Sequence, residues 1–294
     1  MFARFYDGAD DLSRLQAFNA AQIAQNPVGW LQPGDIPHRL YNGQREHDPE
    51  QLIRIWEDEN GRMLGWAFVY PEESFDIQAS DPLIMRAALA WVESALPAET
   101  LETDVWSGDA VRRDLLLEHG FTEAPDELPY YETIRELDDT LPQPLFPDGF
   151  SIRTAVGVED AAQLAAVHAG AFGSDWTAES YAQVMTSPGY APEREFVVVA
   201  PDGRFAAFTV TWHDTLNKTG YFEPVGTHAD FQRLGLARAL MLHAMHAMRA
   251  QGLQQAIVAH EAPEENPASA ALYRSLGFVT RFTTHLYRKT RMAG

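Results

Sequence analysis

The sequence predicts a protein of the α/β (α+β) class with two domains, each a mixed central sheet flanked by helices. Apolar strand patterns alternate with helical patterns along both halves of the 294 residues. Between the halves, segment 141–149 carries three prolines and shows no apolar periodicity, which is typical of a linker. The length is sufficient for two cores of ordinary size. We therefore predict domains at 1–140 and 150–294, joined by a Pro-rich linker at 141–149.

The second half predicts the element order βααβββαβαβ. Pro201-Asp-Gly203 indicates a hairpin turn, and Gly252 ends a long helix. The predicted elements are strand 150–155, helices 158–172 and 178–185, strands 195–200, 204–212 and 219–227, a helix ending near 251, strand 255–260, helix 266–276 and strand 278–287.

The first half repeats this element order incompletely. Its hairpin turn is Asp58-Glu-Asn-Gly61, and its last helix closes with Gly120-Phe121, as the second half closes with Gly277-Phe278. The predicted elements are helix 12–25, strands 52–57 and 63–70, helix 82–96, strand 104–106 and helix 110–119.

The most informative stretch runs from strand 219–227 into the following helix. Gln232, Gly235 and Ala237 have the spacing Q-x-x-G-x-A at the start of that helix. A helix N-terminus offers unpaired backbone N–H groups and a partial positive charge, and small residues let the backbone approach an anion closely. Arg233 and Arg238 stand beside it and can donate two hydrogen bonds each to phosphate oxygens. The pattern predicts a pyrophosphate site.

A second motif covers residues 266–278, Asn-Pro-Ala-Ser-Ala-Ala-Leu-Tyr-Arg-Ser-Leu-Gly-Phe. Asn266 is suited to capping a helix, Pro267 to its first position and Gly277 to its end. Both motifs, in this order and spacing, resemble the GNAT superfamily of N-acetyltransferases, whose pattern is [QR]-x-x-G-x-[GA] followed by N-x-x-A-x-x-L-Y-x-x-x-G-F. The resemblance covers residues 150–290 and implies a GNAT fold that uses acetyl-CoA as co-substrate.

The resemblance also implies roles for individual residues. The strand before the loop would hold the thioester carbonyl and the pantetheine arm by backbone groups and part from its parallel neighbour. Tyr273 would be the acid that protonates the coenzyme A thiolate, since a phenol is still protonated at neutral pH. Asn266 would contact pantetheine, cap its helix, or do both. Arg233 and Arg238 are either phosphate contacts or solvated helix charges. The implied cofactor-binding residues are Val225, Gly226, Thr227, Gln232, Arg233, Leu234, Gly235, Leu236, Ala237, Arg238, Asn266 and Tyr273.

The identity of the base is less defined than that of the acid. An alkylammonium is only about one part in two thousand neutral at pH 7, so a proton acceptor or a water chain is needed. Strict alternation would place Glu223 on the face of Val225 and Thr227, where it is a candidate base or a structural charge. His260 and Glu261, at the end of the next strand, are alternative substrate-site residues.

Other histidines are assigned no catalytic role. His228 is interpreted as structural. His243 and His246 lie three residues apart on a helix, but no acid or further histidine completes a ligand set, so we predict no metal site.

The first half lacks the phosphate-binding pattern. In place of Q-x-x-G-x-A it has Gln78-Ala-Ser-Asp-Pro-Leu-Ile, with Asp81 where an anion would lie. Like charges repel, so the resemblance implies a degenerate GNAT repeat that binds no coenzyme A.

Composition excludes several classes of protein. Without cysteine there is neither a disulfide framework nor a thiolate metal site. The start resembles no signal peptide, and no apolar run reaches 18 residues, so a cytoplasmic protein that does not span a membrane is expected. Residues 1–140 hold 28 acidic and 10 basic residues, against 14 and 12 in the remainder. This acidity argues against nucleic acid and is compatible with a cationic amine, or serves solubility alone.

The sequence therefore predicts direct acetyl transfer from acetyl-CoA to a primary amine of a small molecule. Two alternatives stay open: an acetyltransferase like mycothiol synthase, a tandem member of the superfamily, and a non-catalytic module that binds acetyl-CoA. A monomer is preferred to a homodimer, because a tandem chain already supplies two lobes.

Overall fold

A computed structural model describes residues 1–71, 73–186 and 189–291, apart from the side chain of Asn42. The helices are α1 Gly8–Gln25, α2 Asp35–Pro37, α3 Pro49–Leu52, α4 Pro82–Ala95, α5 Ala110–Glu118, α6 Ala161–Phe172, α7 Ala178–Met185, α8 Leu236–Ala250 and α9 Pro267–Ser275. The strands are β1 Phe2–Phe5, β2 Ile53–Glu57, β3 Met63–Val69, β4 Phe75–Ala79, β5 Thr100–Trp106, β6 Thr122–Glu123, β7 Tyr130–Glu136, β8 Ser151–Thr154, β9 Glu195–Val199, β10 Phe205–Asp214, β11 Thr219–Thr227, β12 Gln255–His260 and β13 Val279–Thr290.

The chain forms two compact units whose bounds differ from the predicted domains. The first unit contains residues 1–132, the segment 260–265 and the chain from Thr280 onward. The second unit contains residues 133–259 and 266–279. The last predicted strand, assigned to the second domain from sequence, thus belongs almost entirely to the first unit.

The first unit is built on a four-stranded antiparallel sheet in the order β1-β2-β3-β4. Its core contains the fully buried side chains of Trp66, Phe68 and Leu89. The strand β5 pairs antiparallel with β13, in a register from Thr100 opposite Thr290 to Trp106 opposite Thr284. Strands β1, β4, β6 and β7 were not predicted from the sequence.

The second unit has its strands in the order β7-β12-β11-β10-β9-β8. The helices α8 and α9 pack on one face of this sheet, in a core that contains Phe222, Leu240 and Tyr273. The helices α6 and α7 pack on the other face, against Phe208. The predicted bounds of α7, β11 and β12 agree with the structure, and the predicted α/β class with mixed sheets and flanking helices is confirmed.

The second unit also buries a carboxylate that no sequence pattern indicated. Glu195 is fully buried at the start of β9. It accepts a hydrogen bond of 2.7 Å from the Tyr181 hydroxyl and another from the Tyr190 hydroxyl. Burial raises the pKa of Glu195 to about 7, although the two tyrosine donors oppose the shift.

This buried carboxyl predicts a pH-dependent stability. Because the folded pKa lies above the ordinary value of 4.5, Glu195 stabilises the fold fully below that value, and this contribution is lost as pH rises to about 7. We expect the Glu195 contribution to the free energy of unfolding to fall by a few kcal/mol over that window. Urea denaturation at about pH 4 and pH 8 measures the change, and Glu195→Gln should flatten it. An unchanged pH slope in that variant contradicts the prediction.

Within the described ranges, no helix is both long and apolar enough to cross a membrane.

Candidate active site

The two parallel strands β11 and β12 part in the middle of the second unit. Their pairing runs from Thr219 opposite Gln255 to Phe222 opposite Val258 and ends there. The strand β11 continues to Thr227 and remains paired with β10 on its other side. Among the described strands, none pairs with the edge of residues 223–227 that faces away from β10. This open edge directly precedes the loop expected to bind phosphate.

The parting coincides with a bulge in β11. Thr209 lies opposite Val225 and Thr211 opposite Phe222, so Glu223 and Pro224 together oppose one residue of β10. Two β10 side chains hold the bulge: the Thr209 hydroxyl donates to the Pro224 carbonyl at 2.8 Å, and the Trp212 indole N–H donates to the Glu223 carbonyl at 2.7 Å.

The bulge removes the basis of one expectation about Glu223. Phe222 and Val225 pack in the same core cluster although they are three positions apart, so strict alternation fails between them. The alternation that placed Glu223 on the face of Val225 therefore does not hold across the bulge, and the role of Glu223 stays a prediction.

The loop 232–235 leads into α8 with an unusual backbone. Arg233 and Gly235 have φ values of 64° and 77°, in the left-handed region. The first backbone hydrogen bond of α8 joins the Ala239 N–H to the Gly235 carbonyl at 3.1 Å. The N–H groups of residues 236–238 therefore precede any intrahelical acceptor. Such a turn at a helix N-terminus suits the binding of an anion.

Three observations fit these residues to a coenzyme A pyrophosphate and pantetheine arm. A side chain added at Gly235 would meet no atom within 4 Å, so the space before the loop is open. The Thr227 hydroxyl is buried and has no hydrogen-bond partner. Exposed Arg233 and half-buried Arg238 make no ion pair within the described part of the chain. Cations without a partner beside open N–H groups suit a polyanion.

The helix α9 presents the second motif as its spacing predicts. The Asn266 side chain accepts a hydrogen bond from the Ser269 N–H at 3.1 Å, so it caps the helix, and Pro267 follows it. Tyr273 is 7% exposed and packs edge-on against Phe278 at 6.0 Å between ring centroids. Tyr273 thus has the surroundings of a core aromatic residue as well as the position of the family acid.

The other residues singled out in the sequence lie in different parts of the structure. His260 and Glu261 belong to the first compact unit, where the His260 ring stacks on Tyr131 at 5.6 Å. His228 accepts a hydrogen bond from the Asp230 N–H at 3.1 Å through Nδ1, and its ring lies against Gly170. This arrangement supports a structural interpretation of His228.

The first unit contains a helix built like α9. In α5 the Asp109 side chain accepts from the Arg112 N–H at 3.1 Å, which matches the cap of α9. Both helices end in a left-handed glycine followed by phenylalanine. The Phe121 N–H bonds the Leu116 carbonyl, and the Phe278 N–H bonds the Tyr273 carbonyl, at 3.0 Å in each case. Leu116 therefore occupies the position of Tyr273 and offers no acid.

In the first unit, the position that corresponds to the open edge of β11 lies between β4 and β5, and a side chain fills it. The strands β4 and β5 approach each other at an isolated parallel bridge between Ser74 and Glu102. Arg112, 6% exposed, lies beyond it and donates to the carbonyls of Ile77 and Gly29 and to Asp109. The residual cavity beside it measures about 10 Å³, the space of one water molecule. Asp81 caps α4 by accepting from the Leu83 N–H at 2.8 Å.

Because Arg112 fills this gap, we expect its removal to lower the free energy of unfolding substantially. Arg112→Ala should lower the free energy of unfolding by about 3 kcal/mol, because the carbonyls of Ile77 and Gly29 lose their buried donor and the partly buried Asp109 carboxylate loses its ion pair. Urea denaturation measures the change. The matched control is Arg113→Ala on the same helix. Its exposed pair with Asp114 at 2.8 Å is screened by solvent, so this substitution should change the free energy of unfolding far less. Equal losses in the two variants would contradict the prediction.

Comparison with known proteins places these features in a family. The model of the acetyltransferase (GNAT) family matches residues 161–278, which include the parted strand, the loop 232–235 and α9. A tandem GNAT protein of the clavulanic acid biosynthesis pathway has a similar structure, with a TM-score of 0.69 at 16% identity over 100% of this chain and 99% of that one. Residues 161–278 therefore match the GNAT family of acetyltransferases. The resemblance predicted from the sequence is thereby confirmed for this part of the chain, and the tandem organisation fits the structural match.

Two curated GNAT relatives are mycothiol acetyltransferases. The protein of Streptomyces coelicolor is 32% identical over 153 residues, which cover 50% of this chain and 48% of the relative. The chain thus spans about half the length of this relative. The protein of Streptomyces bingchenggensis aligns over 95% of this chain and 92% of its own length, at 25% identity. The roles of individual site residues stay predictions, because none of these similarities tests them.

Proposed function

We propose that the second unit transfers an acetyl group from acetyl-CoA directly to a primary amine of a small molecule. The observation that supports this most is the open edge of β11 beyond Phe222, followed at once by the loop before α8. An extended acyl-pantetheine can add to such an edge through main-chain hydrogen bonds, as a peptide strand does. Residues 225–227 would hold that arm, and the Gln232–Arg238 segment would hold the pyrophosphate.

The chemistry assigns one task to each polar residue near this edge. Acetyl-CoA supplies the activated acetyl group as a thioester. Glu223, directly or through water, would remove a proton from the amine so that its nitrogen can form the new C–N bond. As the C–S bond breaks, Tyr273 would donate its proton to the thiolate. Asn266 would orient α9 and contact the pantetheine arm.

We propose further that the first unit is a degenerate repeat that binds no coenzyme A. Leu116 replaces the acid, Asp81 places a negative charge at the N-terminus of α4, and Arg112 fills the gap between β4 and β5. The acetyl group is thus transferred at one site in each chain, and a monomer suffices for it.

Measuring coenzyme A release with and without amine separates the candidate activities. Direct transfer predicts release that depends on the amine and forms one amide for each thiol. Release without any amine would indicate thioester hydrolysis instead. Binding of acetyl-CoA without release under any condition would indicate a non-catalytic module.

A second candidate is acetylation of the mycothiol precursor, which the names of the curated relatives favour. The test is a comparison of kcat/KM for des-acetyl mycothiol and for glucosamine. A ratio above about 10² would support the mycothiol assignment, since a site built for one acceptor discriminates by such factors. Equal values would leave the broader proposal of a small-molecule amine.

A further inference from the structure

An exposed aromatic ring, Phe172, stands beside Gly226 at the open edge of β11. Phe172 ends α6, immediately before the left-handed Gly173, and is 51% exposed. A large apolar side chain that stays half exposed beside a binding site can contact a bound ligand.

The backbone of β11 brings this ring close to the open edge. A Cβ atom added at Gly226 would lie 3.1 Å from Phe172 Cε2 and 3.1 Å from Ala171 Cβ, and would overlap the Phe208 ring. Glycine at this position therefore lets α6 approach the strand where β11 no longer pairs with β12. Gly226 follows Val225, so it lies on the face of β11 that α6 covers, opposite to Val225.

Two neighbouring rings hold Phe172 in place. The His168 ring lies 4.9 Å away between centroids, and the fully buried Phe208 ring lies 6.1 Å away in an edge-on contact. His168 is fixed in turn by a hydrogen bond of 2.8 Å between its Nδ1 and the Ser174 hydroxyl. Phe172 is thus supported from one side while half its surface stays accessible.

We propose that Phe172 is a specificity-determining residue that stacks on a ring in the body of the acceptor amine. This rests on the proposed function and narrows its substrate class. An aromatic ring that is fixed in place gains the most binding energy from a flat partner, such as the C–H face of a sugar ring or another aromatic ring. An acyclic amine offers no such face and must order its chain to make the same contact. The acceptor class is therefore a ring-bearing amine.

The test compares glucosamine with glucosaminitol, its reduced open-chain form, as acceptors. In the wild-type protein the KM for glucosamine should be the lower of the two. Phe172→Ala should raise the glucosamine KM about three- to tenfold and leave glucosaminitol nearly unchanged, because one aromatic contact is lost. Phe172→Leu keeps an apolar side chain without a flat face and should lose most of the same preference.

Controls separate stacking from folding and from failure of the transferase proposal. Leu216→Ala removes a side chain that is 61% exposed in the turn between β10 and β11, at the far end of β11, and should change neither KM. Unchanged calorimetric affinity for acetyl-CoA in each variant shows that the fold is intact. An unchanged glucosamine KM in Phe172→Ala, or equal changes for both amines, would overturn the assignment.

If neither amine is acetylated, the transferase proposal fails for these compounds, and the stacking proposal still has a direct readout. Saturation-transfer NMR on the protein with coenzyme A bound reports whether the glucosamine ring protons contact the protein. A signal that disappears in Phe172→Ala supports the proposal. A signal that persists in that variant, or no signal from either amine at millimolar concentration, overturns it.

Discussion

Replacing Tyr273 by Phe is expected to lower kcat by about 10²–10⁴ while leaving the Kd for acetyl-CoA nearly unchanged. The substitution removes one hydroxyl and keeps the ring that packs against Phe278 in the core. If that hydroxyl protonates the departing thiolate, its loss raises only the barrier of the chemical step. Steady-state kinetics with a fixed amine, together with calorimetry, measures both quantities.

The matched control is Tyr287→Phe. Tyr287 is 5% exposed, comparable with Tyr273, but it lies on β13 in the first unit. We expect its kcat to stay within about twofold of the wild type, because its hydroxyl takes no part in the transfer. A Tyr273→Phe variant with wild-type kcat would remove Tyr273 from the mechanism and would leave it a core residue only.

Calorimetric titration with acetyl-CoA is expected to give one site for each chain, and Gly235→Glu should abolish it. Gly235 has a φ of 77° and open space before it. A glutamate there would put a carboxylate into the position of the pyrophosphate, with like-charge repulsion added to the strain of a left-handed side chain. We expect the affinity to fall by at least about 10².

Gly203→Glu separates strain from charge in this experiment. Gly203 has a φ of 85° in the β9–β10 turn, and no atom lies within 4 Å of a Cβ added there. A glutamate at this position therefore has the same backbone strain but lies outside the predicted phosphate-binding loop. The Gly203→Glu variant should keep the wild-type affinity for acetyl-CoA. Two sites in the wild-type chain would show that the first unit also binds coenzyme A. Wild-type binding in Gly235→Glu would place the cofactor elsewhere.

Much of the fold could be predicted because its signals are local in sequence. The cap of Asn266 and the glycine that ends α9 obey rules that involve residues three or four positions apart. The spacing of Gln232, Gly235 and Ala237 directly encodes the turn into α8. These local features are sufficient to predict where the candidate site lies in the sequence.

What could not be predicted depends on partners far apart along the chain. The pairing of β13 with β5 joins residues 178 to 190 positions apart, and no local pattern specifies it. The bulge at Glu223 arises from pairing with β10, so the alternation of β11 alone could not fix the face of this side chain. From the sequence, Arg112 has the pattern of an ordinary helix charge, and the carbonyls of Ile77 and Gly29, 35 and 83 residues away, explain its burial.

The pairing of β5 with β13 has a consequence for synthesis on the ribosome. Chains emerge from their N-terminus, and the earlier domain generally folds first. Here the residues that complete the first unit are translated after those of the second unit. Until they leave the exit tunnel, β5 lacks this antiparallel partner, and an unpaired strand edge promotes aggregation. The half of the chain that is made first is therefore the half that finishes folding last.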